Sequence, residues 1–123
     1  MNVTGILHVN INCSDFDRSR QFYEMLGFKV IMPVVPDGSG EVAAAVGMED
    51  YVVRGALMTH RDGSVIDLLE WQDPRDEHPP YDSLNHLGIA RIAFVTRDID
   101  SDMERLSAEG VEFLSESAAV VEG

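Results

Sequence analysis

Two charged side chains stand where the surrounding sequence is apolar. Asp67 lies within Val65-Ile66-Asp67-Leu68-Leu69, and Arg91 interrupts Ile89-Ala90 and Ile92-Ala93-Phe94. A charge drawn into an apolar layer must find a partner or be neutralised, so each marks a pocket or an ion pair. His8 falls in an alternating segment, where Leu7, Val9 and Ile11 take one face and His8, Asn10 and Asn12 the other. An imidazole there can exchange a proton near neutrality, and the two carboxamides beside it can line a polar pocket. Trp71 shares the strand face of Asp67 and is placed to stack on a ligand, whereas Glu70 falls on the opposite face. Cys13 has no base near it in the pattern and no second cysteine to pair with, which argues against a nucleophile and a disulfide framework. Asp98, Asp100 and Asp102 suit a helix start better than a cation site. There is no Gly-rich phosphate loop.

These residues need elements to position them. The segment from Leu7 to Asn12 reads as a strand and Asp15 as the cap of a helix carrying Phe16, Phe22, Tyr23 and Leu26 at helical spacing. Gly27 stops that helix. Phe28 to Val35 reads as a second strand, ended by the turn-rich Pro36-Asp37-Gly38-Ser39-Gly40, and the Ala-rich Glu41 to Met48 as a short helix. Val52 to His60 and Ser64 to Trp71 flank Arg61-Asp62-Gly63, the signature of a hairpin. A polar linker containing Pro79-Pro80 follows.

The helix–strand order then begins again. Gly5 to Val30 and Gly88 to Phe113 align without a gap at an offset of 88 − 5 = 83 residues. Gly5, Ile6, Asp15, Asp17 and Gly27 recur as Gly88, Ile89, Asp98, Asp100 and Gly110. The second copy predicts a strand in which Ala90, Ile92 and Phe94 alternate with Arg91, Ala93 and Val95, then a helix capped by Asp98 and stopped by Gly110. Its counterpart of the hairpin would fall at 135–154, so the second copy is expected either to continue beyond residue 123 or to have its open sheet edge covered by a partner chain.

Composition narrows the function classes. The chain has 123 residues, enough for one domain with a core. Its net charge of −13 argues against nucleic acid and anionic membranes as partners, and any anion site must be built locally. No basic-then-apolar leader or membrane-length apolar run is present, so a cytoplasmic protein is expected.

The strings HVNI, DRSRQFYEMLGFKV, RDGSVIDLLEW and GIARIAFVTRDID, set in a duplicated strand–helix–strand unit, resemble the vicinal oxygen chelate superfamily, which comprises glyoxalases, bleomycin-resistance proteins and dioxygenases. The resemblance implies an α+β fold of tandem βαβββ modules forming a cup-shaped mixed sheet. Module one would span 1–71, the linker 72–87 and a truncated module two 88–123, all within a single domain. It implies a small oxygenated molecule bound in the cup, a homodimer, and lyase, isomerase or dioxygenase chemistry. The family's drug-sequestering proteins supply the alternative, a binding protein without chemistry, and a structural dimer that has lost its pocket is a third reading.

Metal-using members carry one ligand on the first and one on the last strand of each module. Carried onto this chain, those positions are His8 and Asp67 in module one, Arg91 in module two, and 67 + 83 = 150, beyond residue 123. A guanidinium stays protonated and has no lone pair to offer, so Arg91 cannot be a ligand. With only His8 and Asp67 as candidates, a full metal site is not expected and a divalent metal is disfavoured. His8, Asp67 and Arg91 are then the expected catalytic groups, with Arg91 pairing with Asp67 or stabilising a substrate anion and His8 acting as general base. Asn10, Asn12 and Trp71 are the expected substrate-binding side chains.

Overall fold

The computed structural model describes residues 1–80, 82–89 and 91–118. The chain divides into two compact units, Met1–His78 and Pro79–Gly123.

The first unit is an α+β arrangement built on an open mixed sheet. In chain order it contains β1 (Val9–Asn12), α1 (Phe16–Met25), β2 (Lys29–Pro33), β3 (Asp37–Gly38), α2 (Gly40–Ala45), β4 (Tyr51–Thr59) and β5 (Val65–Asp73). The strands run in the order β1-β5-β4-β2, with the short β3 paired to β4. β1 is parallel to β5 and the other pairings are antiparallel. The two-residue strand β3 lies where the sequence predicts only a turn.

The β4–β5 hairpin is the centre of this sheet, and its turn explains why. His60 N donates to Ser64 O at 2.9 Å, Gly63 N donates to His60 O at 2.9 Å, and the Asp62 carboxylate accepts from Ser64 N. Gly63 takes φ +92°, a conformation that side chains resist, which is what the Asp-Gly pair anticipates.

Alternation along the hairpin splits the sheet into two faces. Ala56 and Met58 of β4, with Ile66 and Leu68 of β5, pack with Phe16 and Phe28 as the core, and Ile11, Cys13, Tyr23 and Leu26 close around them. Met58 and Leu68 are completely buried, each worth about 1.5–3 kcal/mol of hydrophobic transfer. Helix α1 is pinned to this face from its first turn. Asp15 caps it by accepting from Arg18 N, and Phe16 N donates to Glu70 Oε1 at 2.8 Å. Arg54 forms a bidentate pair with Asp17 and lies over the Phe16 ring at 5.0 Å. The opposite face carries Asn10, Asn12, Leu57, Asp67, Leu69 and Trp71.

The second unit contains α3 (Ile99–Ala108), capped by Asp98, whose side chain accepts from Ser101 N at 3.0 Å. Gly110 follows the helix with φ +93°, and Leu106 is its buried residue. Ser117 donates to Asp100 at 2.6 Å and Thr96 to Asp102, so these acids are engaged around the helix start as the capping argument expects. The predicted strand before α3 is corrected. Residues 91–95 form no strand, and Ala90 of that prediction lies outside the described residues. Residues 111–113 likewise form none. Alternation makes a strand only where a neighbouring backbone completes the ladder, and no such ladder is formed there.

Candidate functional site

The parallel pairing of β1 and β5 assembles the site. Its register sets Asn10 beside Asp67 and Asn12 beside Leu69, bringing the polar face of β1 against the face of β5 that carries Asp67 and Trp71. The Asn10 carboxamide donates to the Asp67 backbone oxygen at 2.9 Å, so it stitches the two strands together rather than projecting freely. His8, immediately before β1, places Nε2 3.8 Å from Asp67 Oδ2. That imidazole is the ionic partner of Asp67 among the described residues.

Asp67 is the chemically unusual group of this face. Its side chain is 19% exposed, against 37% for His8. Its Oδ1 is buried without a hydrogen-bond partner among the described residues. Burial pushes the Asp67 carboxyl above its ordinary pKa, and the charge of His8 draws it partly back. The protonated acid can donate a hydrogen bond, and the carboxylate can accept one at an oxygen that no described residue uses. His8 can take or return a proton beside it.

An aromatic pair extends the site along β5. Trp71 Nε1 donates to Asn12 Oδ1 at 2.9 Å, and the Tyr51 and Trp71 rings meet edge to face with centroids 5.2 Å apart. Asn12 therefore does more than solvate a strand end: it orients the indole. Sequence reasoning missed Tyr51, whose signal was its place at the head of β4, opposite the tail of β5 in the hairpin.

Other expectations resolve by position. Glu70 lies on the helix-covered face, where it accepts from Phe16 N and stands 3.9 Å from Arg75. Cys13 is half-buried with Sγ 3.5 Å from Leu69 O, and burial pushes its thiol pKa up, which makes it a poor nucleophile. Arg91 belongs to the second unit and is exposed there; the first unit brings together His8, Asn10, Asn12, Asp67 and Trp71 without it.

The donor set decides how a metal would fit. His8 and Asp67 offer one nitrogen and one carboxylate, and no group of three His, Cys, Asp or Glu among the described residues is placed to hold an ion. A catalytic zinc site takes three protein ligands, so these residues do not fit a full centre.

Comparison with known proteins bears on the whole arrangement. The family model described as Glyoxalase/Bleomycin resistance protein/Dioxygenase superfamily matches residues 5–121. An uncharacterized protein of Bacillus subtilis (strain 168), YwkD, is 30% identical over 115 residues, covering 91% of this chain and 77% of that protein. The crystal structure of a glyoxalase family protein from Bacillus cereus superposes with a TM-score of 0.78 at 27% identity, covering 94% of this chain and 80% of its own.

Proposed function

Because the chain belongs to the Glyoxalase/Bleomycin resistance protein/Dioxygenase superfamily, we propose that it binds a small oxygenated molecule on the sheet face carrying His8, Asp67 and Trp71 and acts on it by proton transfer. The observation that carries this reading is Asp67, a half-buried carboxyl whose Oδ1 has no hydrogen-bond partner among the described residues and whose Oδ2 lies 3.8 Å from an imidazole. A fold seldom keeps such a group for stability alone, since an unsatisfied buried polar atom is costly. A carbonyl or hydroxyl of a ligand would complete its hydrogen bonding.

The chemistry follows from the pair. His8 acts as the base that removes a proton next to a ligand carbonyl. Asp67 in its protonated form donates to the oxygen on which negative charge develops, a role that its raised pKa suits. Lyase and isomerase chemistry, which proton transfer alone can perform, is what this pair supports.

A second reading, sequestration without chemistry, is favoured by the Tyr51–Trp71 pair, which offers a ring edge and face for a ligand to pack on. The exposed Val30, Ile31 and Met32 of β2, an edge strand of the sheet, support a homodimer. No helix among the described residues is long and apolar enough to cross a membrane.

Proton exchange separates the two readings. With small α-hydroxy ketones and α-keto acids in heavy water, the first reading expects loss of the NMR signal of the protons on the carbon next to the ketone carbonyl, abolished in His8→Ala. Saturable binding with no exchange in the wild type gives the sequestration reading instead.

A further inference from the structure

We propose a second ligand site in the first unit, a pocket lined by Gly27, Lys29, Thr59, His60 and Arg61 that takes a small anion of the phosphate or carboxylate kind. The chain has 22 acidic residues against 9 Lys and Arg, so a cation is expected to have an acid beside it. Arg20, Arg54 and Arg75 follow that expectation, paired with Asp17 and Glu24, with Asp17, and with Glu70 and Glu77. Lys29 and Arg61 do not, and neither do Arg18, Arg91 and Arg97; what sets Lys29 and Arg61 apart is that these two exposed cations, without an ion-pair partner among the described residues, line one pocket.

Local structure holds the pocket open. Lys29 pairs with Thr59 in the β2–β4 register, which sets their side chains on the same face. Arg61 follows in the hairpin turn. The floor is Gly27, at φ +97°, where an added Cβ would meet His60 Nε2 at 2.9 Å. His60 is a fixed wall: Nε2 lies 3.2 Å from Leu26 O, Nδ1 lies 3.6 Å from Asp62 Oδ1, and its ring meets Phe28 edge to face at 5.2 Å. Asp62, the nearby acid, is engaged through both carboxylate oxygens by Ser64 N at 2.9 Å and Ser64 Oγ at 2.8 Å. The Thr59 hydroxyl donates within the turn, to His60 O and Ser64 O. The two cations therefore remain the groups free to meet a ligand, a planar fork and a mobile ammonium, the combination suited to phosphate or carboxylate oxygens.

The site does not depend on the chemistry assigned to His8 and Asp67. Isothermal titration at low ionic strength with inorganic phosphate, and separately with acetate, tests it. Saturable phosphate binding is expected, weakened about tenfold by either Lys29→Gln or Arg61→Gln, as loss of one charged hydrogen-bonding partner implies. Arg18→Gln on α1, an exposed cation outside the pocket, is expected to change nothing, and Asp67→Asn likewise. Acetate binding with the same dependence extends the site to carboxylates; its absence restricts the site to phosphate. Absent or unsaturable phosphate binding overturns the proposal, as does a loss in Arg18→Gln equal to that in the pocket variants.

Discussion

The two copies of the repeat share an Asp helix cap and a Gly helix stop, and both form the helix between them; only the first forms a strand before it. In the first copy, Val9–Asn12 becomes β1 because β5 lies alongside and takes up its backbone hydrogen bonds. In the second, residues 91–95 alternate just as well and form no strand. Helix signals are local, since cap, apolar spacing and stop lie within one segment. A strand depends on a neighbour that can lie far along the chain, as the separation of Asn10 from Asp67 shows.

The largest test of this contrast removes a core leucine from each copy. Leu68→Ala, at a completely buried position between β1 and β4, is expected to cost about 2–5 kcal/mol. Leu106→Ala on α3, 8% exposed, is expected to cost clearly less, as measured by urea denaturation. Equal losses would mean that the second copy is packed as completely as the first.

Caps sharpen the comparison from the side where the copies agree. Asp15→Ala and Asp98→Ala each remove a hydrogen bond to the helix's first turn, from Arg18 N and Ser101 N. Each is expected to lower stability by about 0.5–2 kcal/mol, and by similar amounts. A loss confined to Asp15→Ala would show that α3 rests on something other than its cap.

A smaller effect should come from Asp67, and it depends on pH. Its pKa is raised on folding, so the neutral carboxyl favours the fold at low pH, and that contribution is lost as pH rises through the folded pKa. Asp67→Asn is therefore expected to be the more stable protein at pH 7. Thermal melts should show the advantage shrinking as pH falls into the ordinary carboxylate range. A variant less stable than the wild type at pH 7 would mean that the ionised form is held by partners beyond His8.

Much of the first unit was legible before any coordinates. The hairpin, both helix caps and both glycine stops follow from spacing over a few residues, and parity alone separated Asp67 and Trp71 from Glu70. Other features were not. That Asn10 binds the Asp67 backbone and Asn12 orients Trp71 depends on the β1–β5 register, which no local pattern contains. Tyr51 reaches Trp71 only because the hairpin closes. The basic pocket joins the end of α1 and the start of β2 to the hairpin turn, three places that sequence reading treats as punctuation.

The central claim is that the face bearing Asp67 is where a small oxygenated ligand is held. Amide chemical-shift mapping during titration with an uncharged α-hydroxy ketone such as hydroxyacetone, on the wild type and on Asp67→Asn, tests it most directly. The account predicts shifts concentrated at residues 8–12 and 65–71 in the wild type and largely lost in the variant. Shifts located elsewhere, or unchanged by Asp67→Asn, would contradict it.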